Sequence, residues 1–186
     1  MRIVAGSARG RPLVAPASIT RPTSDRAREG IFSTLEHLLG TLHQKRVLDL
    51  YAGTGAIGLE AASRGASEVD LIESDPRATA VCRANVTSLG FVGVKVYSMT
   101  VEKWLSSVTP DSPYDLVVLD PPYETSNEIV ETMLTALIAP HWLVEGAVIA
   151  VERSAKSAEF DWPAGLKAIR GRQYGHALVR YATKGC

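Results

Sequence analysis

Cysteine is scarce in this chain of 186 residues, occurring only at Cys82 and Cys186. Two thiols cannot build a disulfide framework, and their separation matches no metal-ligand spacing, so neither a stapled secreted scaffold nor a thiolate metal site is expected. Long apolar runs are missing as well. The opening Met1-Arg2-Ile3-Val4-Ala5-Gly6 lacks a signal-peptide core, and the most apolar later stretches, such as Tyr114–Leu119, are strand-length. Neither export nor a membrane span is expected, and a cytoplasmic protein follows. Repeats, low-complexity tracts and linkers are absent too. What is left is one domain with a core large enough to fold unaided.

Net charge is also absent, which on its face argues against a nucleic-acid partner. The distribution reverses that reading. Residues 1–46 hold eight Lys/Arg against three Asp/Glu, a local +5; residues 47–160 hold seven against sixteen, −9; residues 161–186 hold five against one, +4. Phosphate backbones respond to local potential, so basic ends joined in space would serve a nucleic acid. Solvated ends explain the same counts.

What is present is a regular alternation. Residues 1–20 read as a small basic β-hairpin extension, with Arg2–Ala5 and Arg11–Ala15 flanking a Gly6–Gly10 turn. A larger domain over 21–186 follows. It opens with Ser24 as N-cap of an amphipathic helix carrying Ala27, Ile31, Leu35 and Leu38 at helical spacing. Short β-rich runs (47–51, 69–73, 94–98, 116–120, 147–152) then alternate with helical ones (57–64, 76–89, 101–108, 127–138). That alternation predicts a parallel sheet wrapped by helices. Leu166–Ile169 and Ala177–Ala182 predict an antiparallel closing pair. His37, His43, His141 and His176 are scattered and expected at the surface or in packing, and Trp104, Trp142 and Trp162 are expected to pack helices and loops.

The first chemical motif is a strand running into Gly53-Thr54-Gly55-Ala56-Ile57-Gly58 and then a helix, with Glu73 twenty residues beyond Gly53. Alone this is a dinucleotide pattern. Asp49 argues otherwise, because a carboxylate inside the feeding strand would repel a pyrophosphate. S-adenosylmethionine has an ammonium, a sulfonium and no phosphate, and suits Asp49 at its amino-acid end. Gly53 and Gly55 allow close backbone approach, Tyr51 and Ser74 flank the site, and Glu73 is placed to accept from the ribose hydroxyls. Adenine is expected near Thr100 and Val101, although Thr100 is equally explained as a helix N-cap.

The second motif is Asp120-Pro121-Pro122-Tyr123, which ends an apolar strand where open α/β sheets bind ligands. An aromatic amine is a poor nucleophile, its lone pair being delocalised into the ring. Asp120 and the Pro121 carbonyl can each accept one N–H and favour a pyramidal nitrogen facing the methyl donor, so Asp120 also borders the cofactor. Pro121 and Pro122 stiffen the exit, and Tyr123 offers a ring face for a base rotated out of its stack. No metal is required. A plain strand-ending turn is the structural alternative.

In the basic N-terminal segment, Arg2, Arg9, Arg11, Arg21, Arg26 and Arg28 are the candidate RNA contacts, from a protruding hairpin and the opening of the first helix. Thr23 and Arg26 are expected near the active-site rim.

Taken together, these residues resemble the RsmD-type family of bacterial methyltransferases that modify a guanine N2 in 16S ribosomal RNA. The resemblance spans the whole chain. It includes Met1-Arg2-Ile3-Val4-Ala5-Gly6 with Arg9-Gly10-Arg11, the Arg21-Pro22-Thr23, Asp25-Arg26 and Arg28-Glu29 run, Leu48-Asp49-Leu50-Tyr51-Ala52-Gly53-Thr54-Gly55, and Asp120 to Tyr123. The last two motifs are specific only to the superfamily; the N-terminal ones carry the family. The resemblance implies a Rossmann-like class I fold with a seven-stranded, mostly parallel sheet and an antiparallel C-terminal strand. It also implies S-adenosylmethionine as donor, and 16S rRNA or the small ribosomal subunit as partner. Separately, a monomer is expected. Thr100 departs from the Asp or Asn that many relatives place near the adenine. Adenine N6, cytosine N4 or a protein glutamine are competing acceptors, and a catalytically silent RNA-binding assembly factor is the competing non-enzyme.

Overall fold

The computed structural model describes residues 1–15 and 24–185. Helix α1 (Asp25–Leu39) starts where the Ser24 hydroxyl accepts the Ala27 N–H, and it stops at Gly40, whose positive φ no other residue adopts readily. Four β/α units and a fifth strand follow: β1 (Arg46–Leu50), α2 (Ala56–Ser63), β2 (Glu68–Glu73), α3 (Pro76–Leu89), β3 (Val94–Ser98), α4 (Val101–Ser107), β4 (Tyr114–Leu119), α5 (Asn127–Leu137) and β5 (Leu143–Ser154). Strands β6 (Leu166–Tyr174) and β7 (Ala177–Lys184) close the chain. Caps set the better-defined ends. Asp75 accepts from the Arg77 and Ala78 amides, Pro76 opens α3, and left-handed Gly90 ends it.

The seven strands form one sheet in the order β3-β2-β1-β4-β5-β7-β6. Strands β1 to β5 are parallel, and β7 runs antiparallel to both β5 and β6. This is the Rossmann-like class I architecture, with its antiparallel C-terminal strand. Two apolar layers cover the sheet. Ile31, Phe32 and Leu35 of α1 pack with Leu59 on one face; Val130, Met133 and Leu134 of α5 pack with Trp104 and Trp142 on the other. The four histidines are exposed. No helix among the described residues is long and apolar enough to cross a membrane.

The N-terminal segment is docked rather than protruding. A bridge between Arg2 and Pro12, with the Ile3, Gly10 and Leu13 amides donating to the Arg11, Ile3 and Met1 carbonyls, pairs its two arms. Ile3 and Leu13 are buried in the α1/α2 layer. Buried Glu60 of α2 accepts the Val4 amide at 2.7 Å and the Ala5 amide at 2.9 Å, and Ser63 Oγ accepts from the Ala8 amide and donates to the Ala5 carbonyl. The expected domain division at residue 20 falls outside the described residues.

Candidate active site

β1 lies between β2 and β4, where the strand order reverses, so the carboxyl ends of the central strands leave a crevice. A cavity of about 580 Å³ opens there. Tyr51 turns the chain out of β1 at φ 71°, an outlier for a bulky residue, and Gly53 and Gly55 continue with positive φ into α2. Gly55 has no side chain with which to cap that helix. Asp49 does so from the neighbouring strand, its Oδ2 accepting the Gly58 amide at 3.0 Å. Glu73 ties the same loop: Oε2 accepts from Gly53 N–H at 2.8 Å and Oε1 from Asp75 N–H at 2.7 Å. Each carboxylate oxygen still has a lone pair for a further donor.

The fourth strand delivers the other half of the site. The Asp120 amide continues the ladder to the Leu50 carbonyl at 3.4 Å, and two prolines then end it. Buried Arg153 grips the following loop, donating to the Pro122 carbonyl at 3.4 Å and the Thr125 carbonyl at 2.5 Å. No protein donor meets the Pro121 carbonyl among the described residues. Tyr123 stands at the cavity rim with 42% of its surface exposed.

The electrostatics are one-sided. Six acidic side chains line the cavity (Asp49, Glu73, Asp75, Asp120, Glu124 and Glu152), with no Lys, Arg or His among the described lining residues. Burial pushes Asp49 up to about 7, with the Gly58 bond opposing and the Glu73 charge assisting. Asp120 is raised well above the ordinary carboxylate range, first by burial and then by Glu152 and Asp49; burial also raises Glu152. Such a lining opposes a pyrophosphate and favours a cationic ligand rich in N–H and O–H donors.

A second cavity of about 200 Å³ shares Tyr51, Ser74 and Pro122 with the first and adds Met99, Thr100 and Val101. The Thr100 hydroxyl accepts the Lys103 amide at 3.2 Å, so it caps α4 and lines this hollow at once. Asp49, Tyr51, Gly53, Glu73, Ser74, Thr100, Val101 and Asp120 to Tyr123 thus converge on two adjoining cavities; Gly55 shapes the loop behind them.

The arginines divide. Arg9 and Arg26 are exposed; Arg2 is exposed and meets Asp25 at 3.3 Å; the Arg11 guanidinium donates to the Ser88 carbonyl. Arg28 is a correction. Its side chain is fully buried, paired with Asp25 at 2.9 Å and with Glu60 at 3.5 Å, and bonded to the Arg2 carbonyl, so it holds the N-terminal segment and cannot reach a phosphate. Arg21 and Thr23 lie outside the described residues.

Residues 1–183 match the family described as "Conserved hypothetical protein 95". The chain is 32% identical over 181 residues to the Ribosomal RNA small subunit methyltransferase D of Escherichia coli, covering 97% of this chain and 88% of that one. The chain belongs to the RsmD-type methyltransferase family. The Haemophilus influenzae relative of the same name is 33% identical over 155 residues, 82% of this chain and 78% of its own. The solved structure of the Escherichia coli protein yhhF superposes with a TM-score of 0.86 at 29% identity, covering 100% of this chain and 98% of that one. In this RsmD-type chain, sequence reasoning missed Met1, which lines the main cavity, and two neighbours on β5, Glu152 and Arg153. Glu152 did carry a signal: it follows the apolar run Ala147–Val151 as Asp120 follows Leu116–Leu119.

Proposed function

We propose that this RsmD-type chain transfers a methyl group from S-adenosylmethionine to the exocyclic N2 amine of a guanine in small-subunit (16S) ribosomal RNA. The observation that carries this reading is that the acidic glycine-loop site and the Asp120-Pro121-Pro122-Tyr123 turn open into one cavity. The names of the Escherichia coli and Haemophilus influenzae relatives support the RNA class.

The residues fit the cofactor. Asp49 is a nearly dry carboxylate with a single protein donor among the described residues, and it suits an ammonium. Glu73, at the end of β2, has acceptor capacity left for two ribose hydroxyls, and the Met99–Val101 hollow has apolar faces for an adenine. Bound S-adenosylmethionine would supply an electrophilic methyl: the amine lone pair forms the N–C bond, and the C–S electron pair returns to sulfur.

The chain's own groups prepare the amine. Asp120 accepts one N–H and the Pro121 carbonyl the other, which draws the nitrogen lone pair out of conjugation and aims it. The prolines hold both acceptors still, and Arg153 anchors the loop behind them. Tyr123 stacks on the extruded base. The methylated nitrogen gives up its proton to the adjacent carboxylates or to water.

The test is tritiated-methyl transfer to small subunits from cells lacking this protein, followed by nucleoside analysis. Label in N2-methylguanosine supports the reading, and label in methyladenosine or in protein overturns it. Asp120→Ala is expected to lower turnover at least about 100-fold while RNA binding persists. Full turnover in that variant would show the catalytic site to be elsewhere.

A further inference from the structure

Strands β4 and β5 pair in parallel with Leu119 opposite Val151. One residue further along the register, Asp120 follows the end of β4 beside Glu152, which is still within β5. Parallel strands lie ~4.8 Å apart, and residues in register point to the same face. Both side chains line the main cavity. Neither carboxylate is met by a protein donor among the described residues, although both residues are half-buried. The next residue, Arg153, turns to the opposite face and bonds the loop carbonyls, so it does not neutralise Glu152. On the other side, Glu152 pairs with apolar Val179 of β7.

Two desolvated acceptors set side by side call for two adjacent donors on the ligand. Resting on the function proposed above, we propose that Glu152 accepts the N1–H of the target guanine while Asp120 accepts from its N2 amine, making Glu152 the residue that selects guanine. Guanine is the base whose amine stands beside a ring N–H. Adenine presents a lone pair at N1 beside its N6 amine, and cytosine one at N3 beside its N4 amine. A lone pair facing the Glu152 carboxylate leaves two acceptors opposed and unpaired, the arrangement by which sites built for hydrogen bonds reject analogues most strongly. Glu152 accepts in its ionised form, which a positively charged donor in the same cavity favours.

The decisive probe is 2-aminopurine, which keeps the purine ring and the C2 amine but has a lone pair at N1. The nucleotide labelled in the tritium assay is replaced, by splinted ligation of the small-subunit RNA, with guanosine or with 2-aminopurine riboside. Wild-type protein is expected to methylate guanosine at least about 100-fold better in kcat/KM. Glu152→Gln, whose amide can turn to donate, is expected to bring that ratio within about tenfold. Equal rates on both substrates for the wild type would overturn the proposal without any variant, as would full discrimination by a folded Glu152→Gln protein. These results are distinct from failure of the proposed function, where the label falls on another base or on protein and both readings fall together.

Discussion

The Gly58 amide donates to Asp49 Oδ2 at 3.0 Å, so a carboxylate inside β1 caps the first turn of α2 across the glycine loop. Only a residue without a side chain at 58 permits this approach. A Cβ there would lie 2.2 Å from Leu71 Cδ2, 2.9 Å from Val69 Cγ1 and 3.3 Å from Asp49 Oδ2. The pair joins fold and site: one oxygen closes a helix end, and the same buried group gives the cavity much of its appetite for positive charge.

Under the proposed function, this makes cofactor binding pH-dependent. Asp49 is held at about 7 by burial, whereas unfolded it would titrate near 3.8. Between these values the unfolded chain has lost a proton that the folded chain keeps, so this group's contribution to stability falls as pH rises through that window. A cationic ligand favours the ionised form, so affinity for S-adenosylmethionine is expected to rise with pH up to about 7 and then level off. Asp120 and Glu152, both raised by burial, face the same cavity and add to the profile. Calorimetric titration of wild type and Asp49→Asn from pH 5.5 to 8.5 isolates the Asp49 share, because the variant should bind more weakly with a flatter profile. Identical slopes would rule out Asp49 as the titrating partner.

Gly58→Ala tests the same geometry from the helix side. The new methyl must displace Leu71 and Val69 in the packed core and push the amide off Asp49. Overpacking of this kind costs about 1–3 kcal/mol, and cofactor affinity should fall with it. A urea midpoint and a dissociation constant both unchanged from wild type would contradict the packing described.

Sequence legibility followed how local each signal was. Helix α3 emerged with its observed bounds because Asp75, Pro76 and Gly90 mark its ends within the chain itself. The β3 bounds, 94–98, were likewise legible. Strand β6 was expected to stop at Ile169 but continues through Arg170-Gly171-Arg172 to Tyr174, because pairing with β7 sustains a stretch that has no apolar alternation. Strand β5 starts four residues earlier than its apolar run, through a register shift opposite β4. The glycine loop, Glu73 and Asp120 were legible because each motif sits in one segment. Glu152 was not, since its meaning comes from the parallel register that sets it beside Asp120. Arg28 misled for the same reason: its burying partner, Glu60, lies 32 positions away in α2.

That partner supports a stability prediction. Glu60 is fully buried and accepts from the Val4 and Ala5 amides and from Arg64 at 2.9 Å, with Arg28 at 3.5 Å. Glu60→Ala strands two amides and takes one buried carboxylate from Arg28, which keeps Asp25 and the Arg2 carbonyl, a loss of about 3–5 kcal/mol. Because Met1 lines the cavity, freeing this segment should also weaken cofactor binding. Chemical denaturation checks the first effect and titration the second, and a variant as stable as wild type would mean the segment is held by something else.

Arg153 should act on turnover without touching substrate. Its two nitrogens bond the Pro122 and Thr125 carbonyls, bracketing Tyr123 and fixing the turn that presents Asp120 and the Pro121 carbonyl. A lysine keeps the charge but is a single point donor, and it cannot reproduce a planar fork that reaches two carbonyls. Arg153→Lys is therefore expected to lower kcat about 10- to 100-fold, because small displacements of positioned acceptors are felt steeply. S-adenosylmethionine affinity should change little, since the groups that line its expected site are held by other bonds, Asp49 to Gly58 and Glu73 to Gly53. Steady-state kinetics with a parallel binding titration separates the two quantities. A variant that loses affinity and keeps kcat would place Arg153 in cofactor retention instead of loop positioning.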